Sequence, residues 1–121
     1  MHQVIYQEMG SIELGVDGSL DHDGFQQIVH QLESLATTFG PINVMFDLTH
    51  LEGYDKSIVL DEVAFYREKG DALHRIAVVS DSMNSRFFAK LFNKILDTEV
   101  KCFPVEEVEA ARRWIFVSRL P

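Results

Sequence analysis

Residues Ile42-Asn43-Val44-Met45-Phe46-Asp47-Leu48 (INVMFDL) are almost continuously apolar up to Asp47 and follow the breaker pair Gly40-Pro41. A short apolar run between breakers suits a strand covered on both faces, as in a parallel sheet. Leu73 to Ser80 (LHRIAVVS) reads the same way, and Glu99 to Phe103 is a further strand stopped by Pro104. Helical patterns separate these strands. Phe25, Ile28, Val29, Leu32, Leu35 and Ala36 follow helical spacing, with Asp23 expected as the N-cap and Gly40-Pro41 as the stop. A second helix is expected from Ser57 to Lys69, a third from Met83 to Leu96 capped by Asp81 or Ser82, and a fourth from Val105 to Val117.

Upstream, Val4 to Gln7 reads as a short strand joined through Met9-Gly10 to a second one. There Ile12, Leu14 and Val16 alternate with Ser11, Glu13, Gly15 and Asp17, the period of a strand with one covered face, and Gly18-Ser19 ends it. Thr49 to Lys56 is expected to be a polar loop. In the last helix Glu106, Glu107 and Glu109 come first and Arg112 and Arg113 come late, which complements the helix dipole. Its apolar stripe is Val108, Ala111, Trp114 and Ile115. The order β-β-α-β-α-β-α-β-α predicts an α/β fold, a mixed five-stranded sheet flanked by four helices, in one domain over residues 1–121.

Nineteen acids against eleven bases give a net charge of -8, which argues against nucleic acid as partner. One cysteine, Cys102, forms no intrachain disulfide and is expected to be an inert core or sheet residue. The start Met1-His2-Gln3-Val4 lacks a signal peptide pattern, and no apolar stretch approaches the ~20 residues of a membrane span, so a cytoplasmic location is expected. His2, His22, His30, His50 and His74 do not pair at metal-ligand spacing, and no phosphate-cradling glycine loop is present. No metal or cofactor is therefore expected. Asp47 and Asp81 end successive strands, where α/β folds often place active groups, yet no acid-base partner for them is legible. The chain reads as a non-enzyme.

Three stretches resemble a known family: Asn43 to Leu48 with its following loop, Arg75 to Asp81 (RIAVVSD), and Val100 to Phe103 followed by Glu107 to Trp114 (EVEAARRW). In order and spacing the chain is similar to SpoIIAA-like proteins, related in fold to STAS domains. The resemblance implies a non-enzymatic fold also likened to CRAL-TRIO lipid-binding domains, with apolar-ligand binding or membrane association. It also implies the alternative of a protein-interaction domain of anti-sigma-factor-antagonist type. Such antagonists carry an Asp-Ser-Ser-Gly stretch whose first serine is phosphorylated. The comparable stretch here is Asp55-Lys56-Ser57-Ile58: lysine replaces the first serine, the glycine is missing, and Ser57 keeps only the second position. Ser57 is the one phosphorylation candidate that remains, and it otherwise reads as a helix N-cap.

The stretch Met83 to Leu96 (MNSRFFAKLFNKIL) has an unusual pattern. On a wheel of about 100° per residue, Arg86, Lys90, Lys94 and Asn93 gather on one side. Phe87, Phe88, Leu91, Phe92, Ile95 and Leu96 fill the opposite arc, wider than the ~100° stripe that docks a helix on a sheet. A basic, Phe-rich face suits an apolar ligand, an anionic membrane surface or a partner protein. A second apolar excess runs through Val59, Val63 and Tyr66 after the Leu51-Glu52-Gly53-Tyr54 loop. Ligand or membrane contact is thus expected at Tyr54, Val59, Val63 and Tyr66 and along the Met83 to Leu96 helix. Peripheral membrane attachment and oligomerisation are compatible with this pattern.

Overall fold

The computed structural model describes residues 2–54, 64–65, 67–95 and 98–116, with the side chains at 54, 84, 87, 88, 91, 92 and 95 left out. The strands are β1 (His2–Glu8), β2 (Ser11–Val16), β3 (Gly18–Leu20), β4 (Ile42–Asp47), β5 (Leu51–Tyr54), β6 (Leu73–Val79) and β7 (Glu99–Phe103). The helices are α1 (His22–Phe39), α2 (Met83–Ile95) and α3 (Val108–Phe116), the last entered through a 3₁₀ turn at Val105–Glu107. Residues 64–65 and 67–69 are also helical, which agrees with the end of the expected second helix.

Five strands form one sheet in the order β1-β2-β4-β6-β7. β1 is antiparallel to β2, and every other pairing is parallel. The mixed five-stranded sheet is as expected. Because β2, β4, β6 and β7 advance in one direction, right-handed crossovers all land on the same face. That face carries the larger core: Ile12, Leu14 and Val16 of β2, Ile42, Val44 and Phe46 of β4, and Ile28 and Leu32 of α1, with Ala89 of α2 and Phe65 joining them. The other face receives α3, where Met45, Ala77, Val79, Phe103, Ala111 and Ile115 form a smaller core.

The geometry corrects four local expectations. First, β2 is covered on both faces, not one: Ser11 and Glu13 are as buried as Ile12 and Leu14. Alternation tells which residues share a face, but α3 closes the second face from the far end of the chain. Second, the N-cap of α1 is Asp21, not Asp23. Asp21 has extended backbone and its Oδ1 accepts from Gly24 N at 2.8 Å, leaving Asp23 in the first turn. Third, Thr49 to Lys56 is not wholly loop, since Leu51–Tyr54 is strand β5. Fourth, the chain does not leave extended structure at Gly18-Ser19: Gly18–Leu20 pairs in parallel with β5 as a separate two-stranded sheet. Gly18 has φ +68, a left-handed conformation that glycine adopts without a Cβ penalty, and this kink separates β3 from β2.

The expected stop at Gly40 is present. Its φ of 79 and its N–H bond to Ala36 O close α1. Asp21→Ala is expected to lower stability by about 1 kcal/mol through the lost cap, and Asp23→Ala by about 0.5 kcal/mol through the weaker helix-dipole interaction. Urea unfolding monitored by circular dichroism orders the two variants.

Candidate functional site

The C-terminal ends of the parallel strands are where α/β sheets often place reactive groups. Here their carboxylates are committed to the backbone. Asp47 Oδ1 accepts from Thr49 N at 3.0 Å and from the Thr49 hydroxyl. Asp81 Oδ1 accepts from Val105 N at 3.0 Å, so it ties the end of β6 to the entry of α3. Among the described residues no group of three or more His, Cys, Asp or Glu side chains is placed to hold a metal. Cys102 is half-buried in β7, and burial pushes its thiol up.

On the α3 face, polar side chains from three adjacent strands meet the end of α3. The last carbonyls of a helix have no partner within it. Asn43 Nδ2 donates to Ile115 O at 3.1 Å, and Ser11 Oγ donates to the same oxygen at 3.4 Å. Arg75 Nη1 donates to Trp114 O at 3.3 Å. Asn43 Oδ1 meets His74 Nδ1 at 3.0 Å. A register shift between β4 and β6 passes over His74, which lets His74 and Arg75 both reach this face. Trp114 sits under two cations, Arg75 at 4.9 Å and Lys101 at 5.4 Å from its ring centroid.

Glu13, 1% exposed, is gripped by Arg112 through two bonds, Nε to Oε1 at 2.9 Å and Nη2 to Oε2 at 3.0 Å. Arg112 also pairs with Glu109 on its own helix, and these carboxylates raise its already high pKa further. Thus Arg112 does more than complement the dipole. It compensates a buried charge and fixes α3 across β2.

Beside this pair lies an open groove of about 480 Å³ lined by Ile5, Tyr6, Glu8, Glu13, Arg112, Arg113 and Phe116. Its origin is geometric. α3 packs on β2, β4, β6 and β7, and the β1 end of the face stays open. A bulge between Val4 and Tyr6 adds to this. It turns Ile5 onto the same face as Tyr6, directly over Gly15, where an added Cβ would lie 2.9 Å from Ile5 Cδ1. Tyr6 meets Phe116 edge-on at 5.1 Å. Ile5 and Tyr6, 43% and 50% exposed, form an apolar strip on the groove side of the sheet's edge strand, whereas the exposed Val4 pairs with Leu14 on the other face and Met9 lies in the turn beyond.

Of the expected contact residues, Arg86, Lys90 and Lys94 are exposed on α2. Phe87, Phe88, Leu91, Phe92 and Ile95 lie on the α2 backbone and Tyr54 ends β5, but their side chains are outside the described residues. Ser57, Val59, Val63 and Tyr66 lie outside them altogether. The Glu13–Arg112 pair, the Asn43 network and the β1 groove were not legible as sites. Asn43, a lone polar residue in an apolar strand, was the one available signal.

The family model described as SpoIIAA-like matches residues 11–116. Among curated proteins none matches the chain. Solved structures similar to it include the following three. An uncharacterized protein of the DUF3478 family from Shewanella loihica PV-4, with a SpoIIAA-like fold, is 19% identical with a TM-score of 0.73, over 95% of this chain and 92% of that one. The anti-sigma factor antagonist SpoIIAA in its unphosphorylated form is 17% identical with a TM-score of 0.62, over 99% and 100%. The Bacillus cell fate determinant SpoIIAA in its phosphorylated form is 18% identical with a TM-score of 0.62, over 94% and 99%. At such identities the likeness shows the fold.

The groove makes a prediction of its own. Tyr6 donates to Glu8 Oε2 at 3.2 Å, and this bond together with the glutamate's charge holds the phenol above 10.0. The neutral phenol is the favoured form in the fold, so the contact persists below pH 10 and is lost as pH rises through the raised value. An NMR titration of the tyrosine rings is expected to show this shift, and Glu8→Gln to reduce it.

Proposed function

The chain belongs to the SpoIIAA-like family, and from that premise we propose that it is a non-enzymatic regulatory module that acts by binding a protein partner. The observation that carries this reading is the apolar strip of β1 with its groove against α3. A well-packed core on each face leaves these side chains in water at the sheet edge, and concentrated apolar surface of this kind marks interaction sites. An edge strand also offers its outer backbone groups to an incoming segment. Two relatives in fold are SpoIIAA structures, one of them an anti-sigma factor antagonist, which supports a protein as the partner class. The tethering of Asp47 and Asp81 to loop backbone is the arrangement of a scaffold, which supports binding over catalysis.

No described helix is long and apolar enough to cross a membrane. An apolar ligand and an anionic membrane enter as competing outcomes of the tests. The test is cross-linked capture from the source cells, then reconstitution with the purified partner. Ile5→Thr/Tyr6→Thr keeps strand propensity while removing the apolar strip. Wild type is expected to bind the purified partner about tenfold or more tightly than this variant. Equal binding by both, or a lipid retained on the purified chain in native mass spectrometry, contradicts the proposal.

A further inference from the structure

The charge on α2 is distributed against the trend of the whole chain. Arg86, Lys90 and Lys94 are spaced i, i+4 and i+8, so they form a row along the helix about 12 Å long with about 6 Å between neighbours. All three are exposed, and none makes an ion pair among the described residues. Three cations elsewhere are engaged: Arg75 lies near Glu99, Arg112 holds Glu13 and Glu109, and Lys101 lies over Phe103 and Trp114. No acid occurs between Met83 and Ile95, in a chain of net charge -8. Like charges at i, i+4 repel and weaken a helix. The row is nevertheless held in place. Ala89 is buried in the larger core, and Asn93 Oδ1 accepts from Val100 N at 3.0 Å, which fixes α2 to β7.

We propose that the exposed row Arg86, Lys90 and Lys94 of α2 docks an acidic segment of a protein partner, with carboxylates about 6 Å apart. The proposal rests on the protein-partner reading and names a second surface, distinct from the β1 strip. The spacing matches acids at i, i+4 and i+8 of a helix, or at alternate positions of an extended strand. Charge complementarity selects a segment over a bilayer. An anionic membrane would meet the whole flank of an acidic chain, whereas a single segment meets only the row. Screening over about 8–10 Å then shields that segment from the chain's other acids.

The test uses fluorescence anisotropy with two labelled alanine-based helical peptides of one composition. One carries three glutamates at i, i+4 and i+8, and the other carries them adjacent. Wild type is expected to bind the spaced peptide at least about fivefold more tightly than the adjacent one, less so at high salt. Arg86→Gln/Lys90→Gln/Lys94→Gln is expected to lose that preference. These side chains are exposed, so the variant is expected to fold, and its circular dichroism and melting curve check this. Lys90→Gln alone is expected to give an intermediate loss. The proposal is overturned if wild type shows no preference, or if the triple variant keeps it. Sedimentation of wild type with phosphatidylcholine–phosphatidylserine vesicles, without binding to either peptide, also overturns it in favour of a membrane. Either failure leaves the β1 capture result standing, because that experiment leaves α2 unchanged.

Discussion

Glu13 is a carboxylate in the middle of a sheet strand with almost no solvent, and the fold depends on what compensates it. Arg112 does so with a two-bond grip from α3. A charge buried this deeply is tolerable only when paired and hydrogen-bonded. The pair therefore sets where α3 lies. Ser11, Asn43 and Arg75 continue the same logic by supplying donors to the last carbonyls of that helix. Apolar contact from Ala111 and Ile115 supplies adhesion, and the polar contacts supply position.

Position has a consequence at the sheet edge. The described helical parts of the three parallel crossovers, α1, Phe65 and α2, pack on one face, so α3 serves the other face alone among the described elements. Its grip on Glu13 holds it over β2, and Phe116 meets β1 at Tyr6 beside the open groove. The bulge at Ile5 then turns a second apolar side chain toward the uncovered area. One geometric constraint thus links a buried ion pair, an exposed apolar strip and the groove between them. α2 sits on the opposite face and carries its own cationic row, so the two candidate contact surfaces are set by different elements.

Much of this architecture was legible. The apolar runs of β4 and β6 announced strands covered on both faces, and Gly40-Pro41 marked the end of α1. The family resemblance rested on those same stretches and agrees with the family match. What escaped was non-local. Glu13 alternates with Ile12 and Leu14 like any solvent-facing residue, and its partner is 99 positions away. Asp21 and Asp23 are both good caps by type, and only the extended backbone at Asp21 decides between them. β5 is four residues long and has strand geometry through its pairing with Gly18–Leu20. The Ile5 bulge has no marker in composition, since it arises where β1 and β2 fall out of register.

A double-mutant cycle on Glu13 and Arg112 tests most directly whether this pair positions the last helix. Unfolding free energies are compared for wild type, Glu13→Leu, Arg112→Leu and the double variant. Arg112→Leu leaves a buried carboxylate uncompensated and is expected to cost about 3 kcal/mol. The double variant is expected to be clearly more stable than the sum of the single losses implies, with a coupling of at least about 1 kcal/mol. Additive losses, with no coupling, would contradict the account.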